Sequence, residues 1–229
     1  MSRRGTGSRV VAIDGPAGSG KSTTAAAVAR ALGVPHVESG TLYRAVTLAA
    51  LDAAVPVEGP RLVALAHALP IRLDLTASGF RPEIAGTDVS DAIRSERVTA
   101  HVSAVSAIGE VRRWVNEEVR RAVARYPAGA VLDGRDIGTV VFPDALLKIY
   151  LTATPEERAR RRLRQEGRPS GPDDLRREIA ELARRDAADS SRALAPLKPA
   201  PDAVLLDTSG MTVEAQVAHI VALARKAFS

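Results

Sequence analysis

Apolar residues along the chain fall into short continuous runs, set between longer stretches where they recur every three or four positions. Val10 to Ile13 is such a run, short enough for one parallel strand buried on both faces. The alanine-rich stretch Ser22 to Leu32 reads as a helix, residues 34–38 as a short second strand, and residues 39–54 as a long Ala/Leu-rich helix. A Pro- and Gly-punctuated break at residues 55–60 precedes another helical stretch, Leu62 to Leu69. From Ile71 to Val89 the period drops to two: IRLDL and FRPEIAGTDVS alternate around a turn at Ala77-Ser78-Gly79, the texture of an antiparallel hairpin. Helical periodicity returns over residues 94–107 and 110–126, then strand-like runs at 130–132 and 146–152. Pro155 opens a further helix, with Glu156 and Glu157 in its first turn where they complement the dipole. A loop at 167–172, a helix from Asp173 to about Ser191, a strand at 204–206 and a helix at 212–227 complete the chain.

Strands alternating with helices predict an α/β fold with a parallel sheet flanked by helices and right-handed crossovers. The expected organisation is one domain over residues 1–229. Its core covers about 9–62 and 105–229, a small antiparallel β insert about 63–104, and an arginine-rich helical lid about 155–172. Residues 1–8 read as a disordered lead-in.

Composition narrows the chemistry. Aromatic residues are 3% against 45% hydrophobic, so the core is built from Ala, Val, Leu and Ile. There is no cysteine, which excludes disulfides and thiolate metal sites and fits a reducing, cytoplasmic setting. No apolar run reaches the roughly 20 residues of a membrane span. The formal charge is +5, with six arginines between Arg158 and Arg168. Clustered arginine suits phosphate chemistry as well as it suits a nucleic-acid backbone. The aromatic interleaving of single-strand binders is missing, so small nucleotides rather than nucleic acid are the expected partners, and no membrane. His36, His67, His101 and His219 show no metal spacing.

The most specific signal follows the first strand. Gly15-Pro16-Ala17-Gly18-Ser19-Gly20-Lys21-Ser22 has the spacing of a phosphate-binding P-loop, with Thr23 next in the helix. Its glycines permit a tight turn, and successive N–H groups then converge on one point at a helix N-terminus. Lys21 can reach the β- and γ-phosphates of ATP, and the Ser22 hydroxyl can ligate Mg²⁺. A GTP switch would need an Asn-Lys-x-Asp guanine reader, but the only asparagine, Asn116, is followed by Glu117.

Three further blocks, Ser39-Gly-Thr-Leu-Tyr43-Arg44, Gly134-Arg135-Asp136 through Ala145, and Arg185-Asp186 through Asp189 to Arg192 and Leu197, follow the P-loop in order. Together the four resemble the pattern of bacterial cytidylate kinases, over essentially residues 10–227. The resemblance implies a P-loop nucleoside-monophosphate kinase that transfers the γ-phosphoryl group of ATP to CMP or dCMP with Mg²⁺; a monomer is the expected state, although the sequence itself does not give it. It implies an acceptor site of Ser39, Tyr43, Arg44, Ser103, Arg112, Arg135, Asp136, Arg185, Asp189 and Arg192. Within that set Ser103, Arg112 and Asp136 are expected at the cytosine, Arg185 and Asp189 at the sugar, and Arg44, Arg135 and Arg192 at phosphate. Ala187 and Ala188 stand where relatives often carry charge. Catalysis by charge neutralisation is expected from Lys21, Arg135, Arg158 and Arg162, the last two from the lid. Asp14 and Asp133 could assist Mg²⁺ through water or simply cap loops.

Overall fold

The protein is described by a computed structural model covering residues 8–76 and 79–228, with side chains for all of these except residues 71–81. The expected turn at Ala77 and Ser78, and the lead-in up to Gly7, lie outside the described residues. Ser8 is already part of a strand, its N–H and hydroxyl both donating to Asp144 Oδ2.

The central strand is β1 (Ser8–Asp14). Val10 and Ala12 pack with residues of α2 (Gly40–Asp52), α3 (Gly59–Ala68) and α5 (Gly109–Ala124). Val11 and Ile13 face the opposite way, into α1 (Lys21–Leu32) and α8 (Val213–Phe228). Burial on both faces explains why this strand is continuously apolar rather than alternating. The same split recurs in β6 (Ala130–Gly134), where Leu132 joins the first cluster and Val131 the second. With β2 (His36–Glu38), β7 (Ala145–Thr152) and β8 (Val204–Asp207), these strands form one parallel sheet in the order β2-β6-β1-β7-β8. The register pairs Asp14 with Gly134 and Glu38 with Asp133, so the carboxyl ends of β1, β2 and β6 finish level with one another. A parallel sheet presents its ligand site at that edge.

The region of period-two texture is a separate antiparallel sheet: β3 (Ile71–Thr76), β4 (Gly79–Ile84) and the short β5 (Thr87–Asp88). A 3-10 turn (Ala92–Arg94) leads from it into α4 (Glu96–Ala107). On the other side of the core, α6 (Pro155–Gln165) and α7 (Pro172–Ser190) lie against each other. Pro155 occupies the first turn of α6, as its position in the sequence predicts, and the Thr154 hydroxyl accepts from the N–H of Glu157. Among the described residues no helix is long and apolar enough to cross a membrane.

One element has no counterpart in the sequence reading. Residues Ile137–Val141 form a π-helical turn after β6. Its first N–H groups, those of Ile137 and Gly138, donate to the Asp14 carboxylate at 2.9 and 2.7 Å. The cap therefore comes from another strand, which local periodicity does not encode. Burial pushes the Asp14 carboxyl up to about 6 despite those two N–H donors.

Gly129, just before β6, has φ +108, and a Cβ there would lie 2.2 Å from the Arg9 carbonyl oxygen. Gly129→Ala should therefore destabilise the fold by at least the ~1–3 kcal/mol of a strained backbone conformation. Because the position is at the opposite end of the sheet from Asp14, substrate KM values should stay near wild type. Denaturant unfolding beside steady-state kinetics checks both halves of that expectation.

Candidate active site

The carboxyl end of β1 runs directly into the P-loop. Gly15 is obligatory there, since a Cβ would lie 2.1 Å from the Leu151 carbonyl oxygen. Gly18 and Gly20 take left-handed φ values of +73 and +89, and the turn delivers Lys21 as the first residue of α1. Lys21 folds back over the loop: its Nζ donates to the Pro16 carbonyl at 2.6 Å and to Ser19 Oγ at 3.4 Å. Burial strips its ammonium of water and, with the Arg135 cation, lowers its pKa to about 7 against the opposing pull of Asp133, Asp14 and Asp186.

Ser22 Oγ donates to Asp133 Oδ2 at 2.7 Å, and the other oxygen of Asp133 lies 2.6 Å from His36 Nε2 on β2. The Asp133 carbonyl also accepts from Ser39, through N–H at 3.1 Å and Oγ at 3.0 Å. One residue at the end of β6 thus joins the P-loop, β2 and the start of α2. Space here is tight, because a Cβ on Gly134 would come within 2.7 Å of Ser39 Oγ.

These groups open onto a cavity of about 220 Å³ between α1, α2, α4 and α7. Eight cationic side chains line it against four carboxylates, so it is built for an anion. From the loop, Ala17, Gly18, Gly20, Lys21, Ser22 and Thr23 contribute to its wall, whereas Gly15, Pro16 and Ser19 lie behind it. All ten residues expected at the acceptor contribute to the same wall.

Their mutual contacts are as follows. Arg135 Nε donates to Asp189 Oδ2 at 2.7 Å, while Arg192 donates to the other Asp189 oxygen and, at 2.8 Å, to Ser106 Oγ. Asp189 thus holds two arginines apart at a fixed spacing from within a buried position. Arg112 donates to Asp136 Oδ2 at 2.5 Å and to the Ser106 carbonyl at 2.8 Å. Its guanidinium sits 5.4 Å from the centre of the Tyr43 ring. The Tyr43 hydroxyl and Arg112 Nε are buried without a hydrogen-bond partner among the described residues. Arg44 is anchored at 3.0 Å to both the Ile93 carbonyl and Thr99 Oγ1, and burial holds its pKa down to about 10. Arg185 lines the cavity, its pKa lowered by burial and then by Arg135 and Arg162.

The structure adds detail at three positions. Arg158, expected at the reacting phosphates, turns away from the cavity and donates to the Ala17 carbonyl at 2.9 Å and to Asp186. Arg161 likewise serves the loop and the strand beyond it, through Ser19 O and Thr208. Of that arginine run only Arg162 reaches the cavity wall, one helical turn beyond Arg158. Ser103 lines the cavity, yet it is Ser106 that bonds two of the site's arginines, a residue one turn on that the same periodicity could have nominated. Asp186, which accepts the Ala17 N–H at 2.9 Å, and His36 were not singled out as site residues, because their partners are distant in sequence.

Comparison with known proteins is consistent across the chain. The family described as cytidylate kinase matches residues 11–226. A cytidylate kinase of Mycobacterium avium is 47% identical over 219 residues, covering 95% of each chain, and one of Mycolicibacterium paratuberculosis is 46% identical over 219 residues, also covering 95% of each chain. A crystal structure of an uncharacterized protein from Eubacterium ventriosum superposes with a TM-score of 0.51 at 10% identity, over 95% of this chain and 98% of that one. That last likeness speaks to the fold alone.

Lys21 yields a pH prediction. With its pKa lowered to about 7, it is largely neutral in the empty site above that pH, and a polyphosphate favours the charged form. Binding at pH 8 should therefore take up a proton, and the Lys21 contribution to affinity should fall as pH rises above 7. Calorimetry of ADP binding in buffers of different ionisation enthalpy should show that uptake in the wild type and a smaller one in Lys21→Met. Identical uptake in the two proteins would contradict the assignment.

Proposed function

The chain belongs to the cytidylate kinase family, and we propose that it transfers the γ-phosphoryl group of ATP to CMP or dCMP, giving ADP and CDP or dCDP. The observation that carries this reading is the sharing of one cavity by the P-loop lysine and the arginine–aspartate set on α2, α5, β6 and α7. A donor polyphosphate on the loop and an acceptor monophosphate among Arg44, Arg135 and Arg192, with Arg185 and Asp189 at its sugar, would then meet over Lys21. An acceptor oxygen forms the new bond to phosphorus as the β–γ bridge breaks, and no protein nucleophile is needed. Lys21, Arg135 and Arg162 supply positive charge where negative charge accumulates, in a site preorganised by Asp189 and Asp133. Arg158 acts indirectly, by holding the loop.

The residues present fit Mg²⁺. Ser22 gives its proton to Asp133 and so keeps its oxygen lone pairs for a cation on the loop's open side. Among the described residues no three His, Cys, Asp or Glu side chains cluster to cage a metal, so the ion would be held by Ser22 together with phosphate oxygens. A cation held there by Ser22 would supply positive charge to offset that of the donor phosphates.

For the base, the Arg112–Asp136 pair beside Tyr43 offers a carboxylate acceptor and a guanidinium donor set side by side. Cytosine presents an exocyclic amine and ring acceptors that match, whereas uracil puts an oxygen where the amine would be. A base-edge pair of this kind discriminates by roughly 1–3 kcal/mol. ADP release with CMP, dCMP, UMP and AMP as acceptors tests the proposal, with turnover expected for the first two. Asp136→Asn should narrow the CMP/UMP ratio in kcat/KM by about tenfold or more, mainly through lost CMP activity. An unchanged ratio would remove Asp136 from base recognition, and turnover of AMP in preference to CMP would overturn the acceptor assignment.

A further inference from the structure

Ala17 in the P-loop is held by two other elements of the fold. Its N–H donates to Asp186 Oδ1 on α7 at 2.9 Å, and its carbonyl accepts from Arg158 on α6 at 2.9 Å. Arg158 and Asp186 are themselves paired, closing a ring through the Ala17 peptide groups. The Ala17 methyl completes the grip, packing in a small buried cluster with Ala159 of α6 and Leu182 of α7. The next residue is held as closely, since a Cβ on Gly18 would stand 3.0 Å from the Arg158 carbonyl oxygen.

The other face of α7 belongs to the opposite substrate. Arg185 and Asp189 line the cavity one helical turn apart, with Arg192 just beyond the helix end. Asp186 follows Arg185 directly, so it projects about 100° around the helix from it, toward the loop rather than the cavity. One rigid helix therefore carries the acceptor's contacts on one face and a charged tether to the donor loop on the next. A shift of α7 on acceptor binding cannot occur without moving Asp186, and the tether leaves Ala17 no independent position.

Resting on the cytidylate kinase reading above, we propose that Asp186 is a positioning residue that couples the two substrate sites. Acceptor bound against α7 sets the P-loop through Asp186 and Ala17, so each substrate tightens binding of the other. Asp186 touches neither nucleotide. It acts through the loop, with Arg158 as its charge partner. The requirement is reciprocal: the factor by which CMP tightens the donor equals the factor by which the donor tightens CMP.

Calorimetric titration with the β–γ imido analogue of ATP, with and without saturating CMP, reads the coupling directly. In the wild type CMP should tighten analogue binding by about 5–150-fold, the range of typical site–site couplings. In Asp186→Ala that factor should fall to within about twofold of unity while CMP binding alone changes little. Asp186→Asn, which keeps an acceptor for the Ala17 N–H but loses the charge pairing with Arg158, should fall between. A merely structural role for Asp186 would lower the melting temperature and leave the coupling factor intact, and that result overturns the proposal. So does a wild type that binds both ligands without coupling. If the alanine variant does not fold, Arg158→Gln takes its place, and undiminished coupling there overturns the proposal equally. A wild type that binds the analogue but no CMP refutes the cytidylate reading itself, and with it this inference.

Discussion

Much of the site depends on one buried carboxylate. Asp133, at the carboxyl end of β6, is 3% exposed and holds the Ser22 hydroxyl with one oxygen and His36 with the other. Its backbone oxygen takes both donors of Ser39. Through these contacts the donor loop, the edge strand β2 and the first turn of α2 share one anchor. The parallel register makes this possible, because it sets Glu38 beside Asp133 and Asp14 beside Gly134 at the sheet edge where the crossovers must turn back. A buried charge of this kind is tolerated only when each of its oxygens is satisfied. The anchoring is thus a consequence of burial as much as of function.

The anionic character of the ligand follows from the balance around that anchor. Eight cations face four carboxylates, and the carboxylates Asp136 and Asp189 are each already committed to arginines. The arginines are therefore ordered before any phosphate arrives, and little side-chain entropy remains to be lost on binding. Positive charge left in excess, in a partly desolvated cleft, is the condition under which electrostatic stabilisation of phosphoryl transfer is strongest. The lowered pKa of Lys21 expresses the same strain in the empty state.

What the sequence made legible was local or patterned. The P-loop could be read because turn glycines, Lys21 and Ser22 lie within eight residues between a strand and a helix. The antiparallel insert was visible as a change of period, and eight of the ten proposed acceptor residues fall in three ordered blocks that, with the P-loop, resemble one family. What escaped was set by tertiary contact. The π-helical turn at Ile137–Val141 is capped by Asp14 from another strand. On α6, Arg158 and Arg162 are one turn apart on the same helix, and spacing alone gives no reason why the first should grip Ala17 and the second face the cavity. Ser103 and Ser106 pose the same ambiguity on α4: both line the cavity, and the arginines that meet Ser106 come from α5 and from beyond α7.

The central claim is that donor and acceptor phosphates occupy one continuous cavity over Lys21. A bisubstrate analogue, adenosine joined to cytidine through a chain of five phosphates, tests this most directly. It should compete with both ATP and CMP and bind more tightly than either alone, with much of that affinity lost in Lys21→Ala. Competition with only one substrate, or binding no tighter than CMP, would contradict a shared cavity and the account built on it.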